Sequence, residues 1–210
     1  MRRRRSIGWL AAAVIVSACS RAEPPAPPPA AATTAPPAPA SNAGRIVGKV
    51  QGGGIAIVVL APTTARTFPA QDEKPVMDQA NLTFTPELLL VRTGQAAEFR
   101  NSDDVLHNVN VKHEETREQA FNVAIPTGGT YDHTFAREGF YRVGCDIHPA
   151  MAADILSVST PFVTTAGEDG SFSFADVPAG AYVVRMYGGG TKAERDVEIK
   201  NGKNTVAISP

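Results

Sequence analysis

An all-β architecture is the fold class that this 210-residue sequence predicts, on three observations. Runs that alternate polar and apolar residues recur downstream of residue 44. Turn signals rich in Gly, Pro and Asn separate them, and no convincing amphipathic helix interrupts them beyond a short turn around Glu114 to Gln119. Roughly 165 residues follow residue 44, enough for one large or two small domains.

Residues 1–18 read as a lipoprotein signal peptide. Arg2 to Arg5 form a basic start, and Ile7 to Val16 form an apolar stretch too short for the roughly 20 residues that a membrane-spanning helix needs. Val16-Ser17-Ala18-Cys19 looks like a bacterial lipobox, so Cys19 is the expected lipidation site and the bacterial cell envelope, facing the periplasm, the expected location. Residues 19–44 form a Pro/Ala-rich linker: eight of the seventeen prolines fall between Glu23 and Gly44, with no hydrophobic periodicity. Such a stretch predicts a disordered, extended tether, reaching up to about 65 Å at about 3.1 Å per residue.

Loss of residues 1–18 removes four arginines and no acid. The formal charge of −1 becomes −5, with 16 basic side chains against 21 acidic ones. No basic stripe with interleaved aromatics is present, so nucleic acid is not an expected partner.

Within residues 45–75, Arg45 to Val50 and Ile55 to Leu60 read as two strands around a Gly52-Gly53-Gly54 turn. In the following stretch, residues 76–159, the segment His107 to Val111 alternates so that His107, Val109 and Val111 share a core-facing side. Phe140 to Val143 and Ile155 to Val158 are rich in β-branched and aromatic residues and read as strands flanking a loop. Residues 160–210 are divided by Asp169-Gly170, Pro178-Ala179-Gly180 and Asn201-Gly202 turns. The intervening runs are Ser171 to Phe174, Tyr182 to Tyr187, Asp196 to Ile199 and Thr205 to Ile208. Val197 and Ile199 alternate with Asp196 and Glu198, as in a half-buried sheet.

The chemistry concentrates in Cys145-Asp146-Ile147-His148-Pro149-Ala150-Met151. Together with His107 this loop supplies one thiolate, two imidazoles and one thioether. Two His, one Cys and a weak axial Met suit copper, which alternates between a cuprous state that prefers sulfur and a cupric state that accepts nitrogen. Zinc more often takes a second thiolate or a further hard ligand. If Cys19 carries lipid, Cys145 is the one remaining thiol, and an unpaired thiol in an oxidising compartment is protected by burial or by a metal.

From Val76 to Val158 the chain resembles the cupredoxin family, in particular its plastocyanin and amicyanin branch. The resemblance is carried by His107-Asn108-Val109, by the Cys145 to Met151 loop with its proline after the histidine, and by Phe84-Thr85-Pro86, Thr93-Gly94-Gln95 and Phe99-Arg100-Asn101. It implies a Greek-key β-sandwich and one type 1 copper ion held by His107, Cys145, His148 and Met151. Asn108 is implied as a neighbour of the ligands that pins the two ligand-bearing loops, and His148 as the exposed edge through which protein redox partners exchange electrons.

Gly170 to Tyr182 resembles the carboxypeptidase regulatory-like family of small β-sandwiches, a non-catalytic module. Its usual opening strands are missing from residues 160–210, and Arg45 to Val50 with Ile55 to Leu60 read like them. The expectation is a second small sandwich made of 45–75 and 160–210, with the copper domain inserted between Leu60 and Pro161. The alternative is two sequential domains, with Ile55 to Leu60 in the copper domain.

His113 and His133 lie in polar neighbourhoods and read as solvated surface residues. Asp103, Asp104, Asp146 and Asp154 read either as acids that steer a basic partner or as a solvated rim. The functional expectation is a non-enzymatic, membrane-tethered carrier of single electrons, with copper storage or delivery as the alternative. A multicopper oxidase or nitrite reductase needs further histidine-rich sites, and beyond the ligand set only His113 and His133 remain.

Overall fold

The computed structural model describes residues 43–51, 56–188 and 191–209. The signal segment 1–18, Cys19, the linker up to residue 42 and the Gly52-Gly53-Gly54 turn lie outside the described residues. Two strands come first, β1 (Ala43–Val50) and β2 (Ile57–Pro62). Nine follow: β3 (Val76–Ala80), β4 (Thr83–Thr85), β5 (Leu88–Arg92), β6 (Ala96–Asn101), β7 (His107–His113), β8 (Gln119–Ile125), β9 (Thr130–Thr134), β10 (Gly139–Gly144) and β11 (Ala152–Val158). Five close the chain: β12 (Val163–Thr165), β13 (Ser171–Pro178), β14 (Gly180–Gly188), β15 (Thr191–Ile199) and β16 (Gly202–Ile208). The architecture is all-β, with no helix among the described residues.

The nine middle strands make two sheets, ordered β5-β11-β10-β7-β8 and β4-β3-β6-β9. Alternation in β6 and β7 turns Ala97, Phe99, Val109 and Val111 inward, where they meet Phe121, Phe135, Tyr141 and Ile155 in one apolar core. The ring of Phe99 packs edge-on to Phe121 with centroids 5.0 Å apart. Burial of one such side chain contributes about 1.5–3 kcal/mol. Tyr141 sits in this core and donates its hydroxyl to the carbonyl of Arg137, four residues upstream, at 2.9 Å. The polar end of a buried ring is thereby satisfied where the chain turns into β10.

The remaining strands form sheets ordered β13-β1-β16 and β12-β2-β14-β15, which share a core of Ile46, Val58, Leu60, Phe172, Phe174, Tyr182 and Val206. β1 lies at the centre of its sheet, antiparallel to β13 and parallel to β16, with Val47 opposite Ser173 and Thr205. β2 lies between β12 and β14, with Val58 opposite Thr164 and Met186. The chain therefore leaves these two sheets after β2, builds the other pair, and returns at β12. Gly48 faces the Phe172 ring so closely that a Cβ there would fall 2.1 Å from it. At the Asp169-Gly170 turn, Gly170 has φ of +80°, and a Cβ would lie 2.3 Å from the Val50 carbonyl, so only glycine fits.

The two pairs of sheets are joined by a third apolar cluster. Val59, Leu156 and Val158 meet Ile57, Leu88, Phe140, Val163 and Tyr187. Thr160 donates its hydroxyl to the Leu60 carbonyl at 2.9 Å inside this joint. Glu138 closes its rim, accepting the Ser159 N–H at 2.8 Å and facing the Arg185 guanidinium at 3.1 Å. Burial pushes the Glu138 carboxyl up, but the Ser159 bonds and the Arg185 charge outweigh it and hold the group below its ordinary value.

Gly48→Val overpacks the site facing Phe172 and lowers stability by about 1–3 kcal/mol in denaturant unfolding, whereas Lys49→Val on the exposed side changes it little. Folding depresses the Glu138 pKa, so its carboxylate stabilises the fold above the unfolded value, and that contribution is lost as pH falls through the folded value. Glu138→Gln should therefore lower Tm at neutral pH and show a flatter acid limb than wild type; parallel curves for the two proteins would contradict the assignment.

Candidate metal centre

His107 is the first residue of β7, and Cys145 follows the last residue of β10, the neighbouring strand. The antiparallel register sets Gly144 opposite Asn110 and Val143 opposite Val111, so the C-terminal end of β10 and the N-terminal end of β7 finish together. This brings residues 38 positions apart to one point. His148 stands on the loop between β10 and β11, and Met151 ends that loop immediately before β11. The loop is closed at its base by the Cys145 N–H donating to the Met151 carbonyl at 3.3 Å, and by the Met151 N–H donating to the His148 carbonyl at 2.9 Å.

Three donor atoms converge. The two Nδ1 atoms of His107 and His148 are 2.9 Å apart, and each lies 3.9 Å from the Cys145 sulfur. An ion about 2.0–2.3 Å from each donor spans these edges. His107 is fully buried and Cys145 is 4% exposed, while His148 is half-buried and forms the edge nearest solvent. Met151 is 2% exposed and belongs to the same core as Cys145. Among the described residues this is the one cluster of three such donors.

His107 is oriented by Asp103, whose carboxylate lies 2.8 Å from its Nε2. In the tautomer whose Nε2–H donates to this carboxylate, Nδ1 keeps its lone pair for the centre. Asp103 also accepts the backbone N–H groups of Leu82 at 2.9 Å and of Asn81. The Leu82 bond, with His107 and Asn81, outweighs burial and holds the carboxyl below its ordinary range. The sequence reading of Asp103 as a steering or rim acid is thus replaced by a structural role. Its position four residues before His107 is the signal that was available for it.

Asn108 is buried and ties the two ligand-bearing segments together. Its Oδ1 accepts the Asp146 N–H at 2.7 Å and lies 3.3 Å from the Cys145 sulfur. Its Nδ2 donates to Asn122 at 2.8 Å and to Asp146 at 2.9 Å. Asn110 and Asn122 donate to the same Asp146 carboxylate, each at 2.9 Å. The bonds from Asn110 and Asn122, with that from Asn108, hold Asp146 below the ordinary carboxylate range. Asp154 is likewise occupied, accepting from Arg142 at 2.7 Å. Asp104 stays exposed.

His113 and His133 depart from the surface reading. His113 is 4% exposed; its Nδ1 accepts the Thr116 N–H and its Nε2 lies 3.2 Å from the Glu138 carbonyl. The ring packs edge-on to Tyr141. Its polar sequence neighbours form the β7–β8 turn while the histidine itself faces inward. His133 is half-buried against Phe121 and Phe135, and burial lowers its pKa. Neither joins the His107, Cys145 and His148 cluster.

Exposed apolar side chains gather beside the centre. Val105 and Leu106 precede His107, Ile147 precedes His148, and Leu82 sits where Asp103 is held; all four are exposed, as are Pro149 and Ala150.

Residues 72–158 match the family model described as copper binding proteins of the plastocyanin/azurin family. No curated protein matches the chain. Among solved structures, a reduced amicyanin variant is 20% identical with a TM-score of 0.37, over 47% of this chain and 97% of that one. A purple cupredoxin from Nitrosopumilus maritimus is 22% identical with a TM-score of 0.35, over 41% and 99%. A copper-containing nitrite reductase from Thermus scotoductus SA-01 is 24% identical with a TM-score of 0.38, over 48% of this chain; the match spans 26% of that enzyme's length. By its family match and its convergent His-Cys-His donors, the segment 72–158 is a cupredoxin domain that binds a single copper ion.

Proposed function

We propose that this protein is a membrane-tethered type 1 copper protein that carries single electrons between partners in the bacterial cell envelope, and that it is not an enzyme. The observation that carries the reading is the convergence of the His107 and His148 Nδ1 atoms on the Cys145 sulfur in a site buried on all but one side. His107, Cys145 and His148 would hold the copper, with the buried Met151 thioether as the fourth donor. Bound by such a set, copper would supply a one-electron couple between its cuprous and cupric states.

His107 is held by Asp103 and by its place at the head of β7, and Cys145 by β10 and by the adjoining Asp146 N–H, which donates to Asn108 Oδ1. Ligands fixed by sheets and by hydrogen bonds move little when the charge at the centre changes, which favours rapid exchange. His148 is the electron port, because it is the ligand whose ring edge approaches solvent. The apolar collar of Val105, Leu106, Ile147, Pro149 and Ala150 around it excludes water from a docked partner and fits recognition by another apolar surface. Three of the four acids considered for steering are engaged within the protein, so docking rests on this collar more than on charge.

A signal peptide over residues 1–18, lipid on Cys19 and the Pro/Ala-rich linker to residue 44 make a tethered, periplasm-facing carrier. The strands of 45–75 and 160–210 are assigned to a carboxypeptidase regulatory-like sandwich into which the copper domain, 76–159, is inserted. This module is the base on which the centre is carried.

Anaerobic copper titration with optical and electron paramagnetic resonance spectra tests the centre. The expected result is one equivalent of copper and an intense thiolate-to-copper visible band in wild type, with the band abolished in Cys145→Ser. Copper uptake without that band, or with rapid exchange to a chelator, would replace electron carriage by storage or delivery. The port is tested by Ala150→Glu: copper stays bound with an unchanged visible spectrum, while electron self-exchange slows by at least about tenfold, because two like charges must meet across the docked collars. Unaltered self-exchange would move the port away from His148.

A further inference from the structure

Asp146 stands directly after Cys145, and the sheet lays a row of amides under it. Gly144 of β10 pairs with Asn110 of β7, and Asn110 pairs with Asn122 of β8. Asn108 lies two residues before Asn110, on the same outward side of β7, opposite the inward row of His107, Val109 and Val111. A carboxylate placed over this row meets three Nδ2 donors, from Asn108, Asn110 and Asn122, at 2.9 Å each. A carboxylate only accepts hydrogen bonds, and amide nitrogens only donate them, so donors and acceptor match in sense. The Asp146 backbone N–H adds a fourth bond, to Asn108 Oδ1 at 2.7 Å.

From this geometry we infer that Asp146 is a positioning residue with two effects on the centre. It latches the cysteine end of the loop to β7 and β8 independently of copper, and it applies a fixed negative charge that lowers the reduction potential. The second effect rests on the copper reading above; the first does not.

The latch follows from where the bonds go. Within the loop from Cys145 to Met151, Asp146 is the residue whose side chain is bonded to two neighbouring strands, so the sulfur beside it is held before any ligand bond forms. Hydrogen bonds to a charged acceptor are the strong kind, and three on one group make a rigid joint. The charge reaches the sulfur through Asn108. Its Nδ2 faces the carboxylate, and its Oδ1 faces the Cys145 sulfur at 3.3 Å. The carboxylate polarises that amide and raises electron density on the side facing the centre. A negative potential there favours the more positive oxidation state of a bound metal.

The experiment uses the full chain with Cys19→Ser, so that Cys145 is the one thiol. In the metal-free protein, the rate at which an aromatic disulfide reagent modifies Cys145 reads the latch. In the copper-loaded protein, the reduction potential from voltammetry reads the charge. Asp146→Asn should raise the thiol rate about tenfold, since strong charged bonds become weak neutral ones, and should raise the potential. The paired variant Asn110→Ala with Asn122→Ala should raise the thiol rate similarly but lower the potential, because the carboxylate remains and loses the donors that disperse its charge. Opposite signs in the potential separate a charge effect from mere loosening, which would move both variants one way. Wild-type thiol rates in both variants overturn the latch, and a potential that moves in the same direction in both overturns the charge. If Asp146→Asn does not fold, the thiol rate and potential of the paired variant decide. Absence of the copper band in wild type would defeat the proposed function, while the metal-free thiol rate still decides the latch.

Discussion

The pairing of β7 with β10 is the constraint on which the copper centre depends. Antiparallel register makes the start of one strand coincide with the end of the other, so His107 and Cys145 meet across 38 residues of chain. A slip of one residue would turn His107 outward together with Val109 and Val111, and the core would lose its inward row at the same time. Ligand placement and core packing are therefore enforced by the same register, and the energy that buries Val109, Val111 and Val143 also locates the donors.

Both faces of β7 contribute to the centre, in different ways. The inward face carries His107 and the apolar residues that keep water from it. The outward face carries Asn108 and Asn110, which with Asn122 hold Asp146 and through it the cysteine end of the loop. His107 itself is fixed from a third direction by Asp103, whose carboxylate is held by the Asn81 and Leu82 amides. The His107 ring and the Asn108 amide therefore each have polar partners, which a low-dielectric site requires, while the Asn110 Oδ1 is buried without a hydrogen-bond partner.

The copper domain is seated on its companion sheets by more than covalent linkage. Val59, Leu156 and Val158 form an apolar joint, Thr160 satisfies the Leu60 carbonyl inside it, and Glu138 fastens the rim to Arg185.

Strand class, turn positions and the donor residues were legible because they depend on local rules. Period-two alternation revealed the inward row of β7, the Asp169-Gly170 and Asn201-Gly202 turns fall where φ is positive, and His107, Cys145 and His148, which the fold brings together, stand out by chemistry and spacing. The cysteine thiol, the two imidazoles and the thioether are properties of the polymer, and they specify a copper-type donor set before any fold is known. What the linear order left undecided was who faces whom. His113 looked solvated because its neighbours are polar, yet it turns inward at the end of its strand. Asp103 and Asp146 looked like rim charges, yet each is held by donors that arrive from other strands or turns. Cross-strand register is a long-range quantity that minimises exposed apolar area over the whole sheet at once, so it was settled only when all the strands were assembled.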